Sequence, residues 1–306
     1  MRLAFVQALT EAAKKNKRII LVTGDLGFSV FEEYISVCPN QYINAGIAEQ
    51  NMTGLAAGLA IEGFIPFVYS IIPFVTMRNF EQIRNDICYQ NLNVKLVGVG
   101  VGFTYGPYGH THHGLEDVGI LRTLPNMVIL GPGDPVEARL ATEAMVEYEG
   151  PSYMRIGRAG DASIHQKDPH FQIGKGIVIS RGYDISIIAT STMLHHGFEV
   201  SQMLTKVGIT VRLVSMHTIK PIDEELIDTC MQETKAIFTL EEHSVIGGLG
   251  SAVAEFVAEH GNSILFKRIA VPDRFTKVMG NQEYMRRANK LSVDQIIETI
   301  RTAIHK

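Results

Sequence analysis

"NVKLVGVGVG", residues 93–102, sets the fold. The run is apolar without polar alternation, as expected for a strand buried on both faces of a parallel sheet. Its surroundings support that reading. Upstream lie a helix over about 2–15, the strand "RIILVTGD" (18–25), a short helix near 29–36 and the strand "YINAG" (42–46). A helix over 48–61 and the strand "FIPFVYS" (64–70) come next. A helix over roughly 76–89 then carries Met77, Phe80, Ile83, Ile87 and Cys88 on one side. Downstream, a Gly/His/Tyr-rich loop (102–114) leads to a helix near 115–123 and the strand "NMVILGPGD" (126–134). A helix follows with Asp134 as N-cap and Pro135 as its first residue, and "PSYMRIGR" (151–158) closes the unit. Strand and helix in alternation imply a parallel sheet with helices on both faces.

From 159 to 175, "AGDASIHQKDPHFQIGK", hydrophobicity drops and polar residues take over, which marks a linker. The alternation then resumes with "GIVISRG", "DISIIATS", a helix across 191–207, "TVRLVSM", a helix near 223–232 and "AIFTLEEH". "GGLGSAVAEFVAEHG" is a Gly-rich turn running into a helix, "LFKRIAVPD" is a last strand, and a helix over 292–305 ends the pattern. The expected fold is thus two consecutive open, mainly parallel-sheet α/β domains. Their limits are residues 1–160 and 176–306, with 161–175 as linker.

Bulk properties narrow the function. The chain has 306 residues, with 28 Lys and Arg against 32 Asp and Glu, for a net charge of −4. There is no basic block, which argues against a nucleic-acid or membrane-surface role. No apolar run reaches the roughly 18 residues of a spanning helix, and the N-terminus does not read as a signal peptide. Cys38, Cys88 and Cys230 are odd in number and far apart. They read as buried, reduced thiols of a cytoplasmic protein rather than as metal ligands.

The helix over 48–61 lies in "NAGIAEQNMTGLAAGLAIEG" (44–63). It is built of small and aliphatic residues, with Gly54 and Gly58 four apart as a flat face for a close-packed backbone. One carboxylate, Glu49, stands in its first turn. Taken alone, Glu49 has two readings. It complements the positive end of the helix dipole, worth about 0.3–1 kcal/mol at an exposed terminus, or it is a catalytic carboxylate at the mouth of a buried helix.

Three other motifs are weak. "VGVGVG" (97–102) continues an apolar strand and reads as core packing. "GGLGSAVAE" (247–255) has no P-loop Lys and no clear acidic residue about 20 positions on. "HTHH" (110–113) has no second ligand cluster with zinc-like spacing, so it reads as a polar active-site lip.

Taken together and in order, "TGDLG", "GIAEQN", "YSIIPF", "EQIRND", "GHTHHGLEDVGILRTLPNMVILGPGDPVEA", "GPSYMRIGR", "SMHTIKPIDEE" and "EEHSVIGGLGSAVAE" resemble the transketolase family of thiamine-diphosphate enzymes. The resemblance covers essentially the whole chain. It matches the pyrimidine-binding domain followed by the C-terminal domain. The family's pyrophosphate-binding domain carries a "GDG" motif, which this sequence lacks. The resemblance therefore implies the second subunit of a split transketolase. The partner would be a separate N-terminal subunit that holds the diphosphate and a divalent cation (Mg²⁺ or Ca²⁺), in an α2β2 heterotetramer acting on sugar phosphates.

It also implies roles for individual residues. Glu49 would hydrogen-bond ring nitrogen N1′ of the cofactor's aminopyrimidine, favouring the imino tautomer that deprotonates the thiazolium carbon. Phe74 would stack on that ring, and Asp25 and Leu26 would reach the cofactor from the first strand. His112 would contact the donor's oxygens and assist proton movement, with His113 beside it. Arg2, Ser29 and Arg158 would hold a substrate phosphate. Read singly, Phe74 also reads as a core residue, though stacking is favoured, Asp25 as a strand-end cap, and the phosphate set as ordinary surface.

The sequence departs from the family pattern at Tyr108, where the family has Asp, at Gly100, where it has His, and at Ile71, where it has an aromatic. The cofactor-activating part is thus retained and the sugar-reading part altered, which points to a changed sugar or acceptor. Two other readings stand beside ketol transfer. One is a subunit like 1-deoxyxylulose-phosphate synthase or the 2-oxo-acid dehydrogenase beta chain, against whose dehydrogenase form "GIAEQN" and "TIKPID" argue. The other is a non-catalytic, homodimeric binding or regulatory module of the same fold.

Overall fold

The computed structural model describes residues 1–158, 162–261 and 263–305, so the expected limit at 160/161 lies outside the described residues. Twelve strands are formed among the described residues: β1 Ile19–Thr23, β2 Tyr42–Asn44, β3 Ile65–Ile71, β4 Lys95–Val99, β5 Val128–Leu130, β6 Ser152–Ile156, β7 Ile177–Ser180, β8 Ile185–Ala189, β9 Val211–Ser215, β10 Thr218–Lys220, β11 Ala236–Ser244 and β12 Leu265–Val271. They make two sheets, ordered β10-β5-β6-β4-β3-β1-β2 and β12-β11-β8-β9-β7. All pairings are parallel except β10 with β5 and β7 with β9. Every residue of β4 is buried, and the strand lies between β3 and β6. The Lys95 ammonium within it donates to the carbonyls of Tyr148 and Gly150.

Apolar stripes place the helices. Phe5 and Leu9 of helix Arg2–Lys15 meet Ala138, Ala141 and Met145 of helix Pro135–Glu147 on one face of the first sheet. Asp134 caps the latter helix by accepting from Glu137 N at 2.8 Å. On the other face, Met52 and Ala56 of helix Glu49–Ile61 pack with Val75, Ile83 and Ile87. Gly54 and Gly58 of that helix were expected to receive a close backbone, but within the chain they face open space.

The stretch expected as one helix over 76–89 is broken. Ile72–Thr76 is a helical turn, and Phe80–Gln82 runs into a π-helical turn, Ile83–Cys88. At the break, buried Asn79 donates from Nδ2 to Thr53 Oγ1, and that hydroxyl donates to Glu49 O. A side-chain bond to the neighbouring helix thus holds the break in place. Strand β10 and helix Gln282–Ala288 escaped the sequence reading.

Buried polar groups join the two α/β units. Glu242 of β11 accepts from Phe103 N of the first unit (2.9 Å), from Arg286 Nε and Nη2 (3.0 and 2.7 Å) and from Gln282 and Thr192. Glu137 accepts from Ser215 Oγ (3.0 Å) and pairs with His165 (2.8 Å). Strand β10 lies beyond the linker yet adds an antiparallel edge to the first sheet. Among the described residues, no helix is long and apolar enough to cross a membrane, and all three cysteines are free and buried.

Burial pushes the Glu242 carboxyl up, but the Arg286 charge and the hydrogen bonds outweigh it and hold it below its ordinary value. Its stabilisation is therefore complete above the unfolded carboxylate value of about 4.3 and is lost as pH falls through the depressed folded value. Glu242→Ala leaves Arg286 buried without its main counter-charge and is expected to cost about 3–5 kcal/mol at pH 7. Urea unfolding of both proteins across pH should show that gap, and should show it narrowing below about pH 4. A gap that persists unchanged in acid would refute the assignment.

Candidate active site

The loops that follow β1, β2, β3 and β4 all leave the carboxyl ends of parallel strands, where ligand crevices form in open α/β sheets. Gly24, at the end of β1, permits a close approach. A Cβ there would lie 3.3 Å from Gly46 O and 3.8 Å from Glu49 Cγ. The next residue, Asp25, has φ +55°, a left-handed conformation. Asn44 secures it, accepting from Asp25 N and Gly46 N (3.0 Å each) and donating to Asp25 Oδ1 at 2.9 Å. Leu26, Asp25 and Asn44 line a small hollow with Phe28 and Phe31.

Glu49 is the first residue of its helix and is 2% exposed. A buried carboxylate goes beyond a surface dipole effect and needs a partner. Arg78 supplies one, with Nη1 2.7 Å from Oε2. The same guanidinium lies 4.4 Å over the ring of Phe74. The Phe74 ring stands edge-on to His112, with centroids 5.2 Å apart. Tyr108 and Tyr105 flank His112 at 5.3 and 6.4 Å, and Thr111 Oγ1 is 2.9 Å from its Nδ1. Burial pushes the His112 pKa down, so its ring is neutral at pH 7.

Arg78 and the ring contacts thus link Glu49, Phe74 and His112 into one continuous set. His113 contacts a different set: it is buried edge-on to Phe103 at 5.2 Å, and beside His110 it lines a cavity of about 430 Å³ between the two units. Arg2 acts electrostatically on Tyr69, and both Arg2 and Arg158 act electrostatically on Tyr105. The Arg158 guanidinium lies 6.0 Å over the Tyr105 ring. Ser29 has φ +60° and donates its N–H to Glu32 at 2.5 Å. Among the described residues, no group of three or more His, Cys, Asp or Glu is placed to hold a metal ion.

The sequence reading missed Arg78, Tyr105 and Asn44. Arg78 stands four residues after Phe74, a spacing that would have placed both on one face had the helix run unbroken. Asn44 stands at a strand end two residues before a glycine, a position suited to side-chain turn bonds.

Comparison with known proteins agrees with this architecture. Residues 1–160 match the family model for the transketolase pyrimidine-binding domain, and residues 174–296 that for the transketolase C-terminal domain. The chain belongs to the transketolase family. More particularly, it resembles the separate subunits of split transketolases. It is 38% identical over 274 residues to an apulose-4-phosphate transketolase subunit of Phocaeicola vulgatus, covering 89% of this chain and 87% of that one. It is 35% identical to a 6-deoxy-6-sulfo-D-fructose transketolase subunit of a Clostridium species, covering 97% and 92%. A solved split-gene transketolase, described as an inactive beta4 tetramer, superposes with a TM-score of 0.89 at 37% identity, covering 99% and 97%.

Asn44→Ala removes three hydrogen bonds from the turn that carries Asp25. It is expected to destabilise the chain by about 1–3 kcal/mol, measured by urea unfolding. A neutral result would show that the turn is held by other means.

Proposed function

We propose that this chain is the pyrimidine-binding subunit of a two-component, thiamine-diphosphate-dependent transketolase that moves a two-carbon ketol unit between sugars, phosphorylated ones foremost. The observation that carries the reading is the buried Glu49 carboxyl group, joined to Phe74 through the Arg78 guanidinium near the strand ends, in a chain matched along its length by split transketolase subunits. The residues fit the cofactor's ring. Among the described residues Glu49 Oε1 has no hydrogen-bond partner, and a half-buried aromatic stands close by. Bound thiamine diphosphate supplies a nucleophilic ring carbon and an electron sink for carbon–carbon cleavage.

The chain's own residues do the rest. Glu49 holds a proton at the ring nitrogen, Phe74 orients the ring, and Asp25 and Leu26 border it from the β1 turn. Neutral His112 takes and returns a proton at a sugar oxygen. Arg2, Ser29 and Arg158 receive the phosphate end, with His113 supporting the His112 loop. The N-terminal subunit holds the diphosphate and Mg²⁺ or Ca²⁺, and two copies of each subunit form the α2β2 enzyme in the cytoplasm. The open Gly54/Gly58 face and the exposed Phe28, Ile47 and Tyr108 are surfaces such an assembly would cover. The relatives named for apulose-4-phosphate and 6-deoxy-6-sulfo-D-fructose make an unusual sugar a natural reading of Tyr108.

Mixing the chain with its N-terminal subunit, thiamine diphosphate and Mg²⁺ should give a complex that transfers carbon between ketose phosphates and aldehydes without releasing carbon dioxide. Absence of both complex and transfer across a broad sugar panel would favour the non-catalytic module, and carbon dioxide release would favour a decarboxylating relative. Glu49→Gln should keep partner binding and lower turnover by about 10²-fold or more. Unimpaired turnover would contradict the role of Glu49. With His112 acting as a neutral base, the acid limb of the pH–rate profile should lie below about pH 6.5. That limb should disappear in His112→Gln, whose residual rate is measured over the same range.

A further inference from the structure

We propose that Arg78 stands in for the cofactor's pyrimidine in the free subunit and gives up its place when the ring enters. The inference rests on the reading of the crevice given above. A ring seated there needs a hydrogen bond to Glu49 and a stacking contact with Phe74. The Arg78 guanidinium makes contacts of both kinds at once: 2.7 Å to Glu49 Oε2, and 4.4 Å from the centre of the Phe74 ring. It is planar and hydrogen-bonding, and so is an aminopyrimidine. The guanidinium holds Glu49 Oε2 and covers one face of Phe74, so a ring that stacks on that face and bonds Glu49 takes its space from Arg78.

The two partners of the ion pair differ in freedom. The Glu49 side chain is 3% exposed and fixed at the start of a packed helix, whereas the Arg78 side chain keeps 46% of its surface exposed. Arg78 also sits in the break between the helical turns Ile72–Thr76 and Phe80–Gln82, on a long and flexible stem. Glu49 and Phe74 are therefore the fixed walls and Arg78 the movable part. In the free subunit the guanidinium neutralises a carboxylate that would otherwise be buried without a counter-charge. Cofactor entry exchanges one planar partner for another, and the lost ion pair and cation–π contact weaken the observed affinity.

The test is cofactor affinity rather than turnover. The complex of this chain with its N-terminal subunit is titrated with thiamine diphosphate in the presence of Mg²⁺ by calorimetry, for wild type, Arg78→Ala and Arg78→Met. Sedimentation confirms that each complex is assembled, and the methionine variant keeps the aliphatic stem. A half-exposed ion pair and a cation–π contact are each modest. Their removal should lower Kd by about three- to thirtyfold and speed association, with Arg78→Lys, which keeps the charge without the plane, falling between. A wild-type complex that binds cofactor while both neutral variants bind equally or more weakly would overturn the stand-in role and leave the crevice reading intact. Binding by none of the assembled complexes would overturn both.

Discussion

A carboxylate taken out of water has to be answered by its surroundings, and Glu49 organises its surroundings accordingly. Its helix begins with it, so the free N–H groups of the first turn favour its charge. Gly24, at the end of β1, leaves room for the Gly46 carbonyl in the loop just before Glu49. Thr53 and Asn79 tie its helix to the broken segment that carries Phe74 and Arg78. The cation that pairs with it also covers the aromatic ring opposite. Remove the carboxylate and these arrangements lose their common purpose.

The second α/β unit is bound into this geometry. Phe103 N, at the root of the histidine loop, is held by Glu242 of β11, and Glu242 is held in turn by Arg286. Arg155 of β6 pairs with Asp117 at 3.1 Å and donates to Gly114 O just after the loop. Both ends of the loop that presents His112 are thus anchored by buried charges, one of them across the boundary between units. The β10 edge makes the first sheet depend on residues beyond the linker. This gives a physical role to a C-terminal unit that contributes none of the crevice residues: it fixes the loop on which the neutral imidazole stands.

The departures from the family pattern fall at Tyr108, Gly100 and Ile71, while Glu49 and Phe74 match it. Tyr105 and Tyr108 form an aromatic wall around His112, with Arg158 over Tyr105. Such a wall offers flat apolar surface and phenolic hydroxyls where an acidic side chain would accept hydrogen bonds.

By itself the sequence determined the two parallel-sheet units and the helix that begins at Glu49, because burial on both faces leaves continuous apolar strands and amphipathic helices leave a 3.6-residue period. It also determined the transketolase resemblance, because short motifs in fixed order survive as local patterns. The break at residues 77–79, the β10 crossing and the different surroundings of His112 and His113 were decided by tertiary structure alone. The break depends on an Asn79–Thr53 bond across 26 residues, β10 on pairing with a strand some 90 residues away, and the histidine environments on Phe74 and Phe103 meeting the loop from opposite sides. The pairing of Arg78 with Glu49 is of the same kind. Periodicity records which face of an element is buried, and has no means of recording which distant charge waits on that face.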